Sequence, residues 1–181
     1  MKPTNQYNKI FSFLIFYTAL VVLGCSDQDL DPNVAPDSSN ARGATQIRGI
    51  GFFDANDPCD SPGQGATYAV ILTGDLEGCL YITVEESECS PSGTYREVGT
   101  EEFVGTYNGE AGSFRTTYKF EAKYEGCADD GSYIGAEILG RCQHPIVEGS
   151  GEGVFEGVSG RLDMKDDIAA GNYPYRGHFR F

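Results

Sequence analysis

The stretch FRTTYKFEAKYE, residues 114–125, constrains the fold more than any other part of the chain. Phe114, Thr116, Tyr118, Phe120, Ala122 and Tyr124 occupy one parity, while Arg115, Thr117, Lys119, Glu121, Lys123 and Glu125 occupy the other. Successive side chains of a strand point to opposite faces, so this run has one apolar and one charged face, as a half-buried antiparallel strand requires. The last residues repeat the pattern: Tyr173, Tyr175, Gly177, Phe179 and Phe181 alternate with Pro174, Arg176, His178 and Arg180. Shorter runs of the same character lie at 67–74, 79–86, 133–140 and 161–166. A longer one with glycine interruptions covers 94–107, and 45–53 is a candidate first strand. No segment sustains a period of 3.6 over three turns.

Short strands separated by Gly, Asp, Asn and Pro predict an all-β sandwich or barrel. A small antiparallel barrel of about eight strands, spanning 45–181, is the better expectation, because closure removes the edges that long amphipathic strands would expose. Gly99, Gly105, Gly135 and Gly177 fall inside the strands, where a barrel needs kinks to turn its corners. The minimum inward-facing aromatic set is Tyr68, Tyr118, Phe120, Tyr175 and Phe179. Small barrels either fill their interior with such side chains or hold one small apolar ligand. Phe120, without a polar atom, is expected in the core, whereas the Tyr118 hydroxyl needs a partner when buried and would suit a ligand.

Residues 1–24 read as a leader rather than as fold. Lys2 and Lys9 precede an apolar run, 10–24, that is short for a membrane span. The run ends in VLGC, residues 22–25, which resembles the lipobox of bacterial lipoproteins. That resemblance implies cleavage after Gly24 and makes Cys25 the acylated, palmitate-bearing first residue of the mature chain. The partner so implied is a membrane, reached through the lipid anchor, and the expected location is the cell envelope as an outer-membrane lipoprotein. Ser26 follows Cys25 in place of the aspartate that retains many such proteins at an inner membrane. SDQDLDPN, 26–33, either resembles the acidic signals that send lipoproteins to the cell surface or is a solvated linker. Residues 25–44, with two prolines, many small polar residues and no apolar period, are expected to be a lipidated flexible tether.

The chain carries 13 Lys and Arg against 27 Asp and Glu, a formal net charge of −14. Cleavage would remove two lysines and no acid. Nucleic acid is a poor partner for such a surface, because binding it means neutralising phosphates with basic side chains. Of the six cysteines, Cys25 is assigned to lipid. The others, Cys59, Cys79, Cys89, Cys127 and Cys142, would sit in an oxidising compartment where disulfides form. Pairs near in sequence, Cys127–Cys142 and Cys79–Cys89, are the simplest expectation, with Cys59 free or exchanged into either pair. No CxxC pair supports a zinc ribbon or a thioredoxin-type site.

The glycine-rich run 149–160 invites comparison with phosphate-binding loops. Its spacing supplies neither a G-x-G-x-x-G frame between strand and helix nor a Gly-Lys-Ser/Thr. An alternating strand follows it rather than a helix N-terminus, and Glu148, Glu152 and Glu156 would repel an anion. Its glycines are therefore expected in turns and kinks. The core Gly153, Phe155, Gly157, Gly160 and Arg161 resembles the strand-turn-strand near the end of allene oxide cyclase barrel-like proteins, whose small antiparallel barrel dirigent proteins share. YPYRGHFRF, 173–181, is similar to the closing strand of bacterial lipoproteins in that group. The resemblance covers about residues 140–181 and implies fold rather than activity. No motif here matches the cyclase's catalytic residues.

Chemistry-bearing residues are sparse. His144 and His178 are the only histidines, possible neighbours on adjacent strands, and two imidazoles without a third ligand make no metal site. His144 is expected to be solvated or satisfied within the core. DANDPCD, 54–60, fails the calcium-loop frame because Pro58 stands at its fifth position. No cofactor motif is present. In 94–107, Tyr95, Glu97, Gly99, Glu101 and Phe103 share a parity. Glu97 and Glu101 would then point inward as candidate catalytic carboxylates, unless a bulge near Gly99 shifts the parity or this face is solvated. Three functions follow: a lipid-anchored barrel binding a small apolar molecule or a partner protein, a cyclase- or isomerase-type enzyme using Glu97 or Glu101, or a packed structural module.

Overall fold

The computed structural model describes residues 43–54, Cys59 and residues 65–181. The expected leader, Cys25, the expected tether up to residue 42 and most of the 54–60 stretch lie outside the described residues.

Nine strands follow one another: β1 (Thr45–Phe52), β2 (Tyr68–Gly74), β3 (Leu76–Cys89), β4 (Thr94–Tyr107), β5 (Glu110–Cys127), β6 (Tyr133–Pro145), β7 (Glu152–Gly153), β8 (Ser159–Lys165) and β9 (Tyr173–Arg180). Every described pairing is antiparallel, and the described residues contain no helix. The order β4-β3-β2-β1-β9-β8-β6-β5 closes on itself through the β4–β5 pairing, with β7 as an extra short strand on β5. The protein is thus an eight-stranded antiparallel barrel, as the alternation predicts. β7 has two residues, too few to carry a visible period.

The inward parity of each strand makes the core. On β5, Phe114, Thr116, Tyr118, Ala122 and Tyr124 are buried while Arg115, Thr117 and Lys119 are exposed. β4 and β5 form a long hairpin turned by Asn108 and Gly109, both with positive φ (53° and 81°), as a two-residue hairpin turn demands. The run 149–160 serves β7 and the turns beside it. Gly153 adopts φ 64°, and β7 pairs with Gly112 and Ser113 where β6 no longer covers β5. This delivers Phe155, fully buried, into one end of the barrel against Phe103, Phe114 and Phe179.

Neither Cys127–Cys142 nor Cys79–Cys89 forms, while Cys59 is exchanged into the pair of Cys79, an alternative the sequence leaves open. Cys59 bonds Cys79 (Cα–Cα 5.7 Å), Cys89 bonds Cys127 (Cα–Cα 5.6 Å), and Cys142 is a buried free thiol. Cys79 and Cys89 share β3, where ten residues of extended chain span about 33 Å, far beyond disulfide reach. Cys142 faces Phe120 across the β5–β6 pair, whereas Cys127 faces Tyr133 at the end of that pair. Sequence proximity was the wrong guide because long strands carry near neighbours far apart.

Candidate functional site

The end of the barrel opposite Phe155 holds a cavity of about 400 Å³. It is built on the inward parity of β4. Tyr95, Glu97, Glu101 and Phe103 are all buried, so no bulge disturbs this strand. The register shift lies on its neighbour β3, between Val84 and Glu86. Gly99, between the two acids, leaves room for an aromatic ring: a Cβ there would approach the Tyr118 ring to 2.8 Å and collide with the Thr83 carbonyl.

Two carboxylates organise the floor. Glu97, 8% exposed, accepts three phenolic hydrogen bonds: Tyr118 (2.7 Å) and Tyr68 (3.2 Å) on Oε1, and Tyr95 (2.6 Å) on Oε2. Burial, followed by the adjoining Glu97 carboxylate, pushes the Tyr68 and Tyr118 hydroxyls well above the ordinary phenol range. The same causes raise Tyr95 to about 12. These phenols are fixed as neutral donors. Glu101, 4% exposed, takes the Thr116 hydroxyl (2.5 Å) and His144 Nδ1 (2.6 Å) on one oxygen, Oε2. His144 is 2% exposed, stacks beside Tyr118 at 6.3 Å, and its Nε2 has no partner among the described residues. A neutral ring that donates from Nδ1 to a carboxylate keeps a lone pair on Nε2.

The mouth is aromatic and acidic. Tyr124 and Tyr133 stack at 4.1 Å, and Tyr95 meets both edge-on. The Tyr124 hydroxyl reaches Glu137 Oε2 at 3.4 Å. Glu137 Oε1 has no donor of its own, and the neighbouring Asp166 carboxyl supplies one when protonated. Burial, reinforced by Glu137, raises Asp166 to about 7. Cys142 also lines the cavity, and burial pushes its thiol up, so it is a small apolar wall rather than a nucleophile.

Of the five aromatics expected inside, Tyr68, Tyr118 and Phe120 line the cavity. Phe120 is half-buried on the cavity wall, not in the core as expected, because the space in front of it is unfilled. Tyr175 and Phe179 point inward but belong to the packed core. Tyr175 accepts from Leu76 N–H at 2.9 Å and donates to the Thr73 carbonyl at 3.2 Å, while Phe179 lies beside Phe155. His144 and His178 are not neighbours: β8 separates their strands, and His178 shares the outward parity of Arg176 and Arg180. The alternation of Gly140, Cys142 and His144 on β6 was the available signal for an inward His144. Glu137 was hidden by a register shift opposite Lys123 and Tyr124, which skips Ile138 and reverses the parity of β6 beyond it.

No protein-family model matches this chain, and no curated protein matches it either.

Proposed function

We propose that the protein is a ligand-binding barrel, carried at the cell envelope on a lipid attached to Cys25, that holds one small molecule in its open end. One observation carries the binding reading: a barrel otherwise closed by fully buried aromatics keeps a cavity of about 400 Å³ at one end, within the usual range for small-molecule sites. The same cavity counts against a packed structural module. The lipobox-like VLGC supports the anchor, and the antiparallel barrel together with Gly153–Arg161 supports kinship with the allene oxide cyclase barrel-like proteins. Native mass spectrometry of the purified chain should detect a small molecule that leaves on denaturation. Cys25→Ala should leave the protein unprocessed or released from membranes; normal acyl labelling of that variant would remove the anchor from the reading.

A second reading, a cyclase- or isomerase-type enzyme, is favoured by one arrangement. His144 is oriented by Glu101 and retains an unspent Nε2 beside the cavity, which suits proton abstraction. Incubating wild type and Glu101→Gln with the co-purifying molecule separates the two. A product formed only by wild type would establish the enzyme, and unchanged molecule in both would leave the binder.

A further inference from the structure

The cavity has a chemical bias that follows from counting its donors and acceptors. Among the described residues lining it there is no Lys or Arg, whereas Glu97, Glu101, Glu137 and Asp166 are all present. The donors nearest these acids are already engaged: three phenols on Glu97, Thr116 on Glu101 and Tyr124 on Glu137. His144, buried on the same wall, has an Nε2 without a partner among the described residues. Beside the Tyr133 and Tyr173 hydroxyls the cavity thus presents mainly carboxylate acceptors, which suit a ligand that brings hydrogens. Near the entrance the stacked rings of Tyr124 and Tyr133, with Tyr95 edge-on, present π faces beside the Glu137–Asp166 pair. Aromatic faces flanked by carboxylates attract organic cations.

We propose that the ligand is a protonated organic amine with a compact apolar body, its ammonium group held by Glu137 and Asp166 among these tyrosines. This rests on the binding reading and names the class of molecule that reading requires. Carboxylates and phosphate esters are disfavoured by the same lining, since an anion buried beside Glu97, Glu101 and Glu137 meets no Lys or Arg among the described lining residues. The amine also relieves the enforced proximity of Glu137 and Asp166, which otherwise share a proton.

The test is calorimetric titration of the full chain at near-neutral pH with three probes of one shape: phenylpropylamine, phenylpropanol and phenylpropionate. The amine should bind about tenfold or more tighter than the alcohol, and the carboxylate should not bind. In the double variant Glu137→Gln, Asp166→Asn the amine should fall to the level of the alcohol, with the alcohol's affinity and the thermal midpoint showing that the cavity persists. If the alcohol or the carboxylate matches the amine, the amine class is wrong while the binding reading survives. An amine preference that persists in the double variant would mean general attraction to an acidic surface, and would overturn the proposed site. If no probe binds and nothing co-purifies, both readings fall.

Discussion

At one end of the barrel Phe103, Phe114, Phe155 and Phe179 pack ring against ring with centroids 4.9–5.8 Å apart. At the other, Tyr68, Tyr95, Tyr118 and Tyr124 stand around carboxylates and leave a cavity. The same long strands run between the two, with register shifts on β3 and β6 toward the open end and the β7 turn at the closed one. The side chains differ by one oxygen atom per ring. A buried phenylalanine asks only for contact, and the chain meets that need by inserting Phe155 from the β7 turn. A buried tyrosine must also place its hydroxyl, and Glu97 meets that need for three of them at once. Satisfying the hydroxyls fixes the rings as walls instead of letting them collapse. The closed end is an apolar core, and the open end is a polar frame around space.

The largest expected effect breaks the closed end. Phe155→Ala should cost about 3–5 kcal/mol in urea unfolding, because the fully buried ring leaves a void that its neighbours cannot fill. Phe120→Ala should cost far less, about 1 kcal/mol, since its ring already borders the cavity and only part of its surface is buried. Equal losses would mean that the open end is packed as tightly as the closed one.

Next comes the covalent staple at the open end. Cys89–Cys127 joins the far ends of β3 and β5, where the local core consists of Tyr95, Ala122 and Tyr124. Its sequence separation of 38 corresponds to about 4 kcal/mol of chain entropy removed from the unfolded state. Cys89→Ser with Cys127→Ser should lower hydrogen-exchange protection throughout through the lost unfolded-state restraint, and most strongly in β3 and β4 near Cys89 and Tyr95. Equal loosening around Phe103 and Phe114 would show that the two ends are not separately held.

Tyr118→Phe tests the polar frame. From sequence, the variant is expected to keep its stability and lose only ligand. The 2.7 Å bond to Glu97 changes this: removing the hydroxyl takes one of three donors from a buried carboxylate and should cost about 1–3 kcal/mol. Glu97→Leu should cost more than Tyr118→Phe, because it takes the acceptor from the Tyr68, Tyr95 and Tyr118 hydroxyls together. A smaller loss for Glu97→Leu would mean that the hydroxyls stabilise the fold by another route.

These contrasts mark how far the sequence could be read. Alternation made eight strands visible, and the parity of three of them; β4 keeps its parity without interruption, so Glu97 and Glu101, inward candidates unless a bulge intervened, do face the interior together. Glu137 was not a candidate, because the register shift opposite Tyr124 turns an outward position inward. His144 was passed over as one isolated histidine, since its partner Glu101 lies 43 residues away and meets it only across the closed barrel. The disulfides failed for a related reason: their pairing is a property of strand ends in space. Parity is local and legible, whereas what crosses the interior depends on closure.

The last comparison is drawn through pH. Burial and Glu137 raise Asp166 from 3.8 to about 7, so in that interval the folded protein holds a proton that the unfolded chain has released. Stability follows the difference in bound protons, and here the folded state binds more, so this group makes stability fall as pH rises through the interval. The contribution is complete below the unfolded value and gone above the folded one. Asp166→Asn keeps a neutral, hydrogen-bonding side chain at every pH. It should match wild type at the acidic limit, gain on it through the interval and hold its lead above neutrality, in urea unfolding followed across pH. Phe155→Ala should shift the whole curve downward without altering this slope, because no titrating group is touched at the closed end. A slope of the opposite sign would mean that Asp166 is held ionised by a bound cation, and the open end would then be read with its ligand in place.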